Sequence, residues 1–232
     1  MTKRNIFIGA ALLLVMAMLV FMPLRMIVGG EGITARKVEG IIWDGSIRDL
    51  RVGKLLIGDV NARLHVLPLL LGRAEISLSR GDAPFAPGIS GSFSRRFGGF
   101  SIDGLKARLP VNAIFAPLPV ESLELQDFSV RFTGGRCTHA SGTARLALAN
   151  MIPGLDLSNG LLGTPRCDRG QLLLPLNSQS AMEHFDIRLA ADGGYTATIF
   201  LEGDRQDQSA SLVLAGFRSV TGGYQMVRKG RL

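Results

Sequence analysis

Three histidines, two cysteines and one tryptophan are all that 232 residues supply of the side chains most used for metal ligation, nucleophilic attack and aromatic recognition. His65, His139 and His184 are scattered, each on the polar side of a predicted strand or beside a turn. Cys137 and Cys167 lack the paired spacing of a zinc site, and no cluster of His, Asp or Glu recurs at ligand spacing. There is no GxSxG elbow, no GxGxxG after a strand and no GxxxxGK[ST] loop, since Gly53-Lys54 is followed by Leu55. These absences argue against a hydrolase, a nucleotide-binding protein and a metalloenzyme, and predict a non-enzymatic chain with no cofactor. A basic tract is missing too. Of the net charge of +7, three positive charges (Lys3, Arg4, Arg25) flank an apolar run, and the other arginines are spread among Asp and Glu. That pattern excludes a nucleic-acid surface and leaves room for mild attraction to anionic lipid or an acidic protein face.

Long apolar runs are equally scarce, and the single example organises the chain. Ile6 to Leu24 (IFIGAALLLVMAMLVFMPL) carries no charge. At 1.5 Å per residue it reaches roughly 28 Å, close to the hydrocarbon thickness of a bilayer. A helix of this length satisfies its own backbone in lipid. A cleaved secretory signal is the alternative, but its apolar core runs only about 7–15 residues, and Val28-Gly29-Gly30 is a poor cleavage site. Residues 1–5 then form a cytoplasmic stub, 6–25 an inner-membrane anchor, 26–36 a linker and 37–232 a domain outside the cytoplasm. A first helix with a basic stub normally keeps that stub inside.

Beyond the linker, apolar and polar residues alternate between glycine-rich turns. Val60, Ala62, Leu64 and Val66 alternate with Asn61, Arg63 and His65, the period-2 signature of a sheet with one wet face. Val38–Trp43 and Ile47–Val52 read as strands joined at Asp44-Gly45, and Phe185–Ala190 and Tyr195–Gly203 as a hairpin around Asp192-Gly193-Gly194. Further strands are expected over 92–97, 100–109, 123–132, 137–150, 171–176, 209–217 and 224–228. Leu67 to Gly72 is an apolar corner too short for a helix of any length, and Val111–Phe115 is the only other helical candidate. The fold class is therefore mainly β: one N-terminal transmembrane helix, then a curled antiparallel sheet, half-barrel or sandwich-like. With no long helix to cover it, the sheet must curl on itself, meet another sheet or leave an apolar groove for a lipid ligand.

An even cysteine count in an exported domain suggests one disulfide, Cys137–Cys167, with two buried free thiols as the alternative. Trp43 reads as a packing anchor or a partner contact. Phe93, Phe97 and Phe100, clustered around Arg95-Arg96, read as hairpin residues or as a tip facing lipid headgroups or a partner.

Val38 to Ser46 (VEGIIWDGS), followed by His65 to Arg73 (HVLPLLLGR), resembles the general secretion pathway protein N family of the Gram-negative type II secretion system. Gly135-Arg136-Cys137 and Pro165-Arg166-Cys167 are similar to that family's cysteine stretches. The resemblance implies a single-pass inner-membrane protein with a periplasmic β domain, supporting the apparatus that exports folded proteins. Its partners would be other secretion components, with membrane lipid around the N-terminal helix. Trp43, Asp44, Gly45 and Pro68 become candidate structural or partner-contact residues. A similar strand-turn opening in AsmA-like envelope proteins implies, as the alternative, a periplasmic lipid-binding or lipid-transfer module.

Overall fold

The computed structural model describes residues 23–24, 33–81, 87–148, 159–203 and 209–231. The expected anchor, apart from Pro23 and Leu24, lies outside the described residues, as does the linker up to residue 32. Among the described residues no helix is long and apolar enough to cross a membrane.

Sixteen antiparallel strands form one open sheet. In chain order they are β1 (Ile33–Thr34), β2 (Lys37–Ile41), β3 (Asp44–Val52), β4 (Leu55–Leu64), β5 (Ala74–Arg80), β6 (Ile89–Arg96), β7 (Gly99–Pro110) and β8 (Val120–Thr133). They continue as β9 (Arg136–Leu148), β10 (Leu161–Gly163), β11 (Arg166–Asp168), β12 (Gln171–Asn177), β13 (Glu183–Leu189), β14 (Gly194–Glu202), β15 (Arg218–Val220) and β16 (Gly223–Arg231). Among the described residues three short helices interrupt them: α1 (Val66–Leu70), α2 (Asn112–Phe115) and α3 (Ser209–Leu214). The strand order is β1-β3-β4-β5-β6-β7-β8-β9-β10-β12-β13-β14-β16-β15, with β2 on β3 and β11 on β12.

Alternation decides which face is dry. Leu172, Leu174 and Leu176 on β12, Phe185 and Ile187 on β13, and Tyr195, Ala197, Ile199 and Leu201 on β14 are all buried. Each large apolar side chain buried this way stabilises the fold by roughly 1.5–3 kcal/mol. They join Phe115, Phe132, Leu146 and Leu161 in the main core, while Leu24, Ile47, Leu50, Val60, Ala62, Ile89 and Ala107 form a second, smaller one. The sheet curls: Leu55 on β4 packs against the main core, as do Phe185 and Tyr195 from the far side of the strand order. α2 is the strut inside the curl. Phe115 meets Phe185 and Tyr195 edge-on at 6.1 and 5.4 Å, and the Tyr195 hydroxyl donates to the Ile114 carbonyl.

Between the two halves the ladder is thin. β10 registers three pairs with β9 but only one with β12, Leu162↔Asn177. Alongside it, β11 pairs with β12 and forms no ladder with β9. There the Cys137–Cys167 disulfide, with Cα atoms 5.5 Å apart, and the Cys137 N–H donating to the Gly170 carbonyl close the gap.

Several expectations shift. The first hairpin turns at Ile42-Trp43, with Gly40 opposite Gly45 and Ile41 opposite Asp44, so Asp44 and Gly45 open β3. Ile33–Thr34, expected in the linker, already pair with Val52 and Arg51. The corner Leu67–Gly72, expected to be non-helical, begins with α1. Residues 209–217, expected as a strand, start as α3. The helix is favoured by Ala and Leu and stopped by Gly216 at φ +96, where the Gly216 and Phe217 N–H groups bond back to Val213 and Leu212.

Candidate functional site

Of the residues singled out in the sequence, Trp43, Asp44, Gly45 and Pro68 come to one end of the sheet. Gly40 and Gly45 explain the tight hairpin that holds the first three. Gly40 adopts φ +89, and a Cβ there would stand 2.6 Å from the Asp44 carbonyl. A Cβ on Gly45 would stand 2.6 Å from Leu24 Cδ2 and 2.8 Å from the Glu39 carbonyl. The bare backbone of Gly45 is thus a seat for Leu24, which is buried in the smaller core, while Pro23 bridges to Ile41. The end of the apolar run is packed onto the domain. Trp43 is half-buried in the turn, and exposed Asp44 lies 3.3 Å from the Arg63 guanidinium.

The Ile42 carbonyl accepts from Leu64, and the chain then enters α1. This helix carries Pro68, but its leucines avoid the core. Leu67, Leu70 and Leu71 are 77, 78 and 86% exposed, and Val66 and Leu69 are open as well. Next along the same end comes the β6–β7 turn. Phe93 and Phe100 stack at 6.2 Å, and Phe100 and Phe132 at 4.9 Å, whereas Phe97 stands fully in solvent. Arg95 and Arg96 beside it are exposed, with no ion pair among the described residues. Behind Phe97 a cleft of about 270 Å³ is lined by Arg73, Arg96, Arg131, Ser94, Ser101 and Thr133 together with the phenylalanines. Arg73 pairs with Glu75 at 2.8 Å, yet its buried Nε has no hydrogen-bond partner among the described residues. The cleft sets these arginines, paired in part with Glu75 and Asp103, against walls of phenylalanine. This rim was half-visible in the sequence: beside the Arg95-Arg96 pair Phe97 reads as a hairpin residue or an outward tip, and the structure turns it outward.

Elsewhere the polar groups are engaged structurally. His65 Nε2 lies 2.7 Å from the Ser77 hydroxyl, and His184 Nδ1 2.7 Å from the Asn177 amide oxygen. Ser178 and Ser180 both donate to the buried Glu183 carboxylate at 2.7 Å. A hydrogen bond from Arg188 at 2.6 Å holds the Asp168 carboxyl below the usual carboxylate range, and Arg108 does the same for Glu124. Among the described residues no group of three or more His, Cys, Asp or Glu could hold a metal ion. The outer edge of β16 is covered by β15 only from Gly223 to Gln225. From Met226 to Arg231 it has no strand partner among the described residues.

A family model described as Type II secretion system (T2SS), protein N matches residues 31–227. A type II secretion system protein N from Vibrio cholerae serotype O1 (strain ATCC 39315 / El Tor Inaba N16961) is 25% identical over 184 residues, covering 72% of this chain and 71% of that protein. No solved structure matches. With the family pattern spanning almost all of the described sheet, the chain belongs to the type II secretion system protein N family.

Proposed function

We propose that this chain is a non-enzymatic inner-membrane component of the type II secretion system that helps assemble or support the apparatus exporting folded proteins. The apolar segment read as an anchor over 6–25 holds it in the membrane, its end turning into the sheet at Leu24, and the sheet stands in the periplasm. Family membership supports the secretion role. The observation that carries the anchored-scaffold reading is the seat of Leu24. The last residue of a bilayer-length apolar run is buried in the sheet, so the domain is held at the point where that run ends. The Cys137–Cys167 bridge suits an oxidising compartment. The unpaired stretch of β16, ending in Arg228, Lys229 and Arg231, offers main-chain donors and acceptors to a strand from another secretion component.

Deleting the gene tests the role. Exoproteins should accumulate in the periplasm, and the full chain supplied in trans should restore their export. Normal export without the protein, with the remaining apparatus intact, refutes the reading. Cysteines placed along 226–231 should cross-link to a secretion component in intact envelopes.

A further inference from the structure

Among the described residues, the apolar helix α1 and the Phe97 turn are exposed features that the core does not use. They are not scattered. From the Pro23–Ile41 bridge, the Ile42 carbonyl bonds Leu64 at the mouth of α1, Ala74 faces Arg95 across β5 and β6, and the Gly134 N–H bonds Gly98 in the next turn. One continuous end of the sheet therefore carries the exit of the apolar run, the exposed leucines and the free arginines. Pro23 pairs with the outer edge of β2 and α1 follows β4, three strand spacings away, which is roughly 14 Å. The apolar run meets the sheet at its own carboxyl end, where Pro23 bridges Ile41. A bilayer crossed by residues 6–22 would put its headgroup layer, some 5–8 Å deep on each side, at the level of this rim.

We propose that this rim is a docking face for an anionic bilayer surface: Leu67, Leu70, Leu71 and Phe97 enter the interface while Arg95 and Arg96 meet lipid phosphates. The proposal rests on the anchor reading above for its geometry. Its chemistry is that of an interfacial segment, apolar side chains ringed by cations. The cleft behind Phe97 places Arg96 in the same layer, while Arg73 and Arg131 there are engaged by Glu75 and Asp103. Lys54, at the opposite end of β4 about 30 Å from α1, stays in water.

The test uses the full chain reconstituted in vesicles, either phosphatidylglycerol-containing or purely phosphatidylcholine. A single fluorophore is placed through Leu70→Cys, Phe97→Cys or Lys54→Cys with the native disulfide intact, and quenched by lipids spin-labelled near the headgroup. Labels at 70 and 97 should quench several-fold more than the label at 54. The excess should fall about tenfold in Arg95→Glu/Arg96→Glu, given the attraction each basic side chain has for an anionic surface. Labels at 70 and 97 no better quenched than at 54, in protein retained on vesicles through an alkaline wash, overturn the docking face and leave the anchor standing. Protein stripped by that wash yet quenched at 70 and 97 at neutral pH overturns the anchor and leaves the docking face standing. Quenching equal in both lipids and untouched by the double reversal overturns the role of the arginines.

Discussion

Removing the disulfide should loosen one seam before it melts the whole sheet. β11 has only three residues and a ladder on one side, and its tie to β9 is the Cys137–Cys167 bond plus the hydrogen bond from Cys137 to Gly170. The bond closes a loop with a sequence separation of 30, for which chain entropy gives about 12 cal/mol/K, or ~3.6 kcal/mol at 25 °C. In a domain of this size each kcal/mol moves the melting temperature by roughly 2–4 °C, so Cys137→Ala/Cys167→Ala should melt about 7–14 °C lower. The assay is circular dichroism of the full chain in mild detergent, paired with hydrogen exchange read by mass spectrometry. Residues 166–173 should lose protection at temperatures where β13 and β14 still exchange slowly, because those strands are anchored by the main core. A shift below about 2 °C, or unaltered exchange at 166–173, would mean that β11 is held by packing alone, against the chain-entropy account. The same cysteines report compartment: in envelopes from growing cells they should alkylate only after reduction.

Leu24→Ala should cost about 2–5 kcal/mol by opening a cavity in the smaller core, while Gly45→Ala should eject the same side chain. Combined, the two should cost well under their sum in denaturant titrations, whereas strict additivity would refute the seat. Tyr195→Phe should lose roughly 0.5–1.5 kcal/mol through its bond to Ile114, with exchange rising in α2 rather than in β14. Asp168 is kept ionised by Arg188, so its contribution is present above the ordinary carboxylate range and is lost as pH falls through its lowered value. Arg188→Met should therefore move acid unfolding to higher pH, and an unchanged acid midpoint would show that the pair contributes nothing.

What could be read from sequence follows the strength of the local pattern. β13 and β14 alternate because one face is buried, so their period announces them, whereas β12 reads as a short apolar run with Leu172, Leu173 and Leu174 all buried. β10, β11 and β15 are three residues each, shorter than any period can register. The turn at Ile42-Trp43 was misplaced because Asp-Gly is a strong hairpin signal. Here the glycine of that pair is needed one step on, opposite Gly40, to admit Leu24. α3 was hidden because adjacent Leu212, Val213 and Leu214 fit a buried strand as well as a helix, although Gly216 carried the stop signal. The rim fared similarly. Pro68 marked the corner, but nothing local distinguishes leucines facing out from leucines facing in.

Taken together, the ties divide the domain mechanically. β1 to β9 hold the seat of Leu24 and the exposed rim, whereas β12 to β16 hold the open edge. Between them run the short β10, the disulfide beside β11 and the α2 strut reaching Tyr195. A partner strand added to β16 would extend the second half without touching the first, so any pull it exerts reaches the seat of Leu24 through those three links and through the main core, where Phe132 and Leu146 pack with Phe185 and Leu201. Main-chain pairing resists shear along its whole length, while a single-pair ladder does not, so the covalent bridge reinforces the main core at the seam where pairing is thinnest.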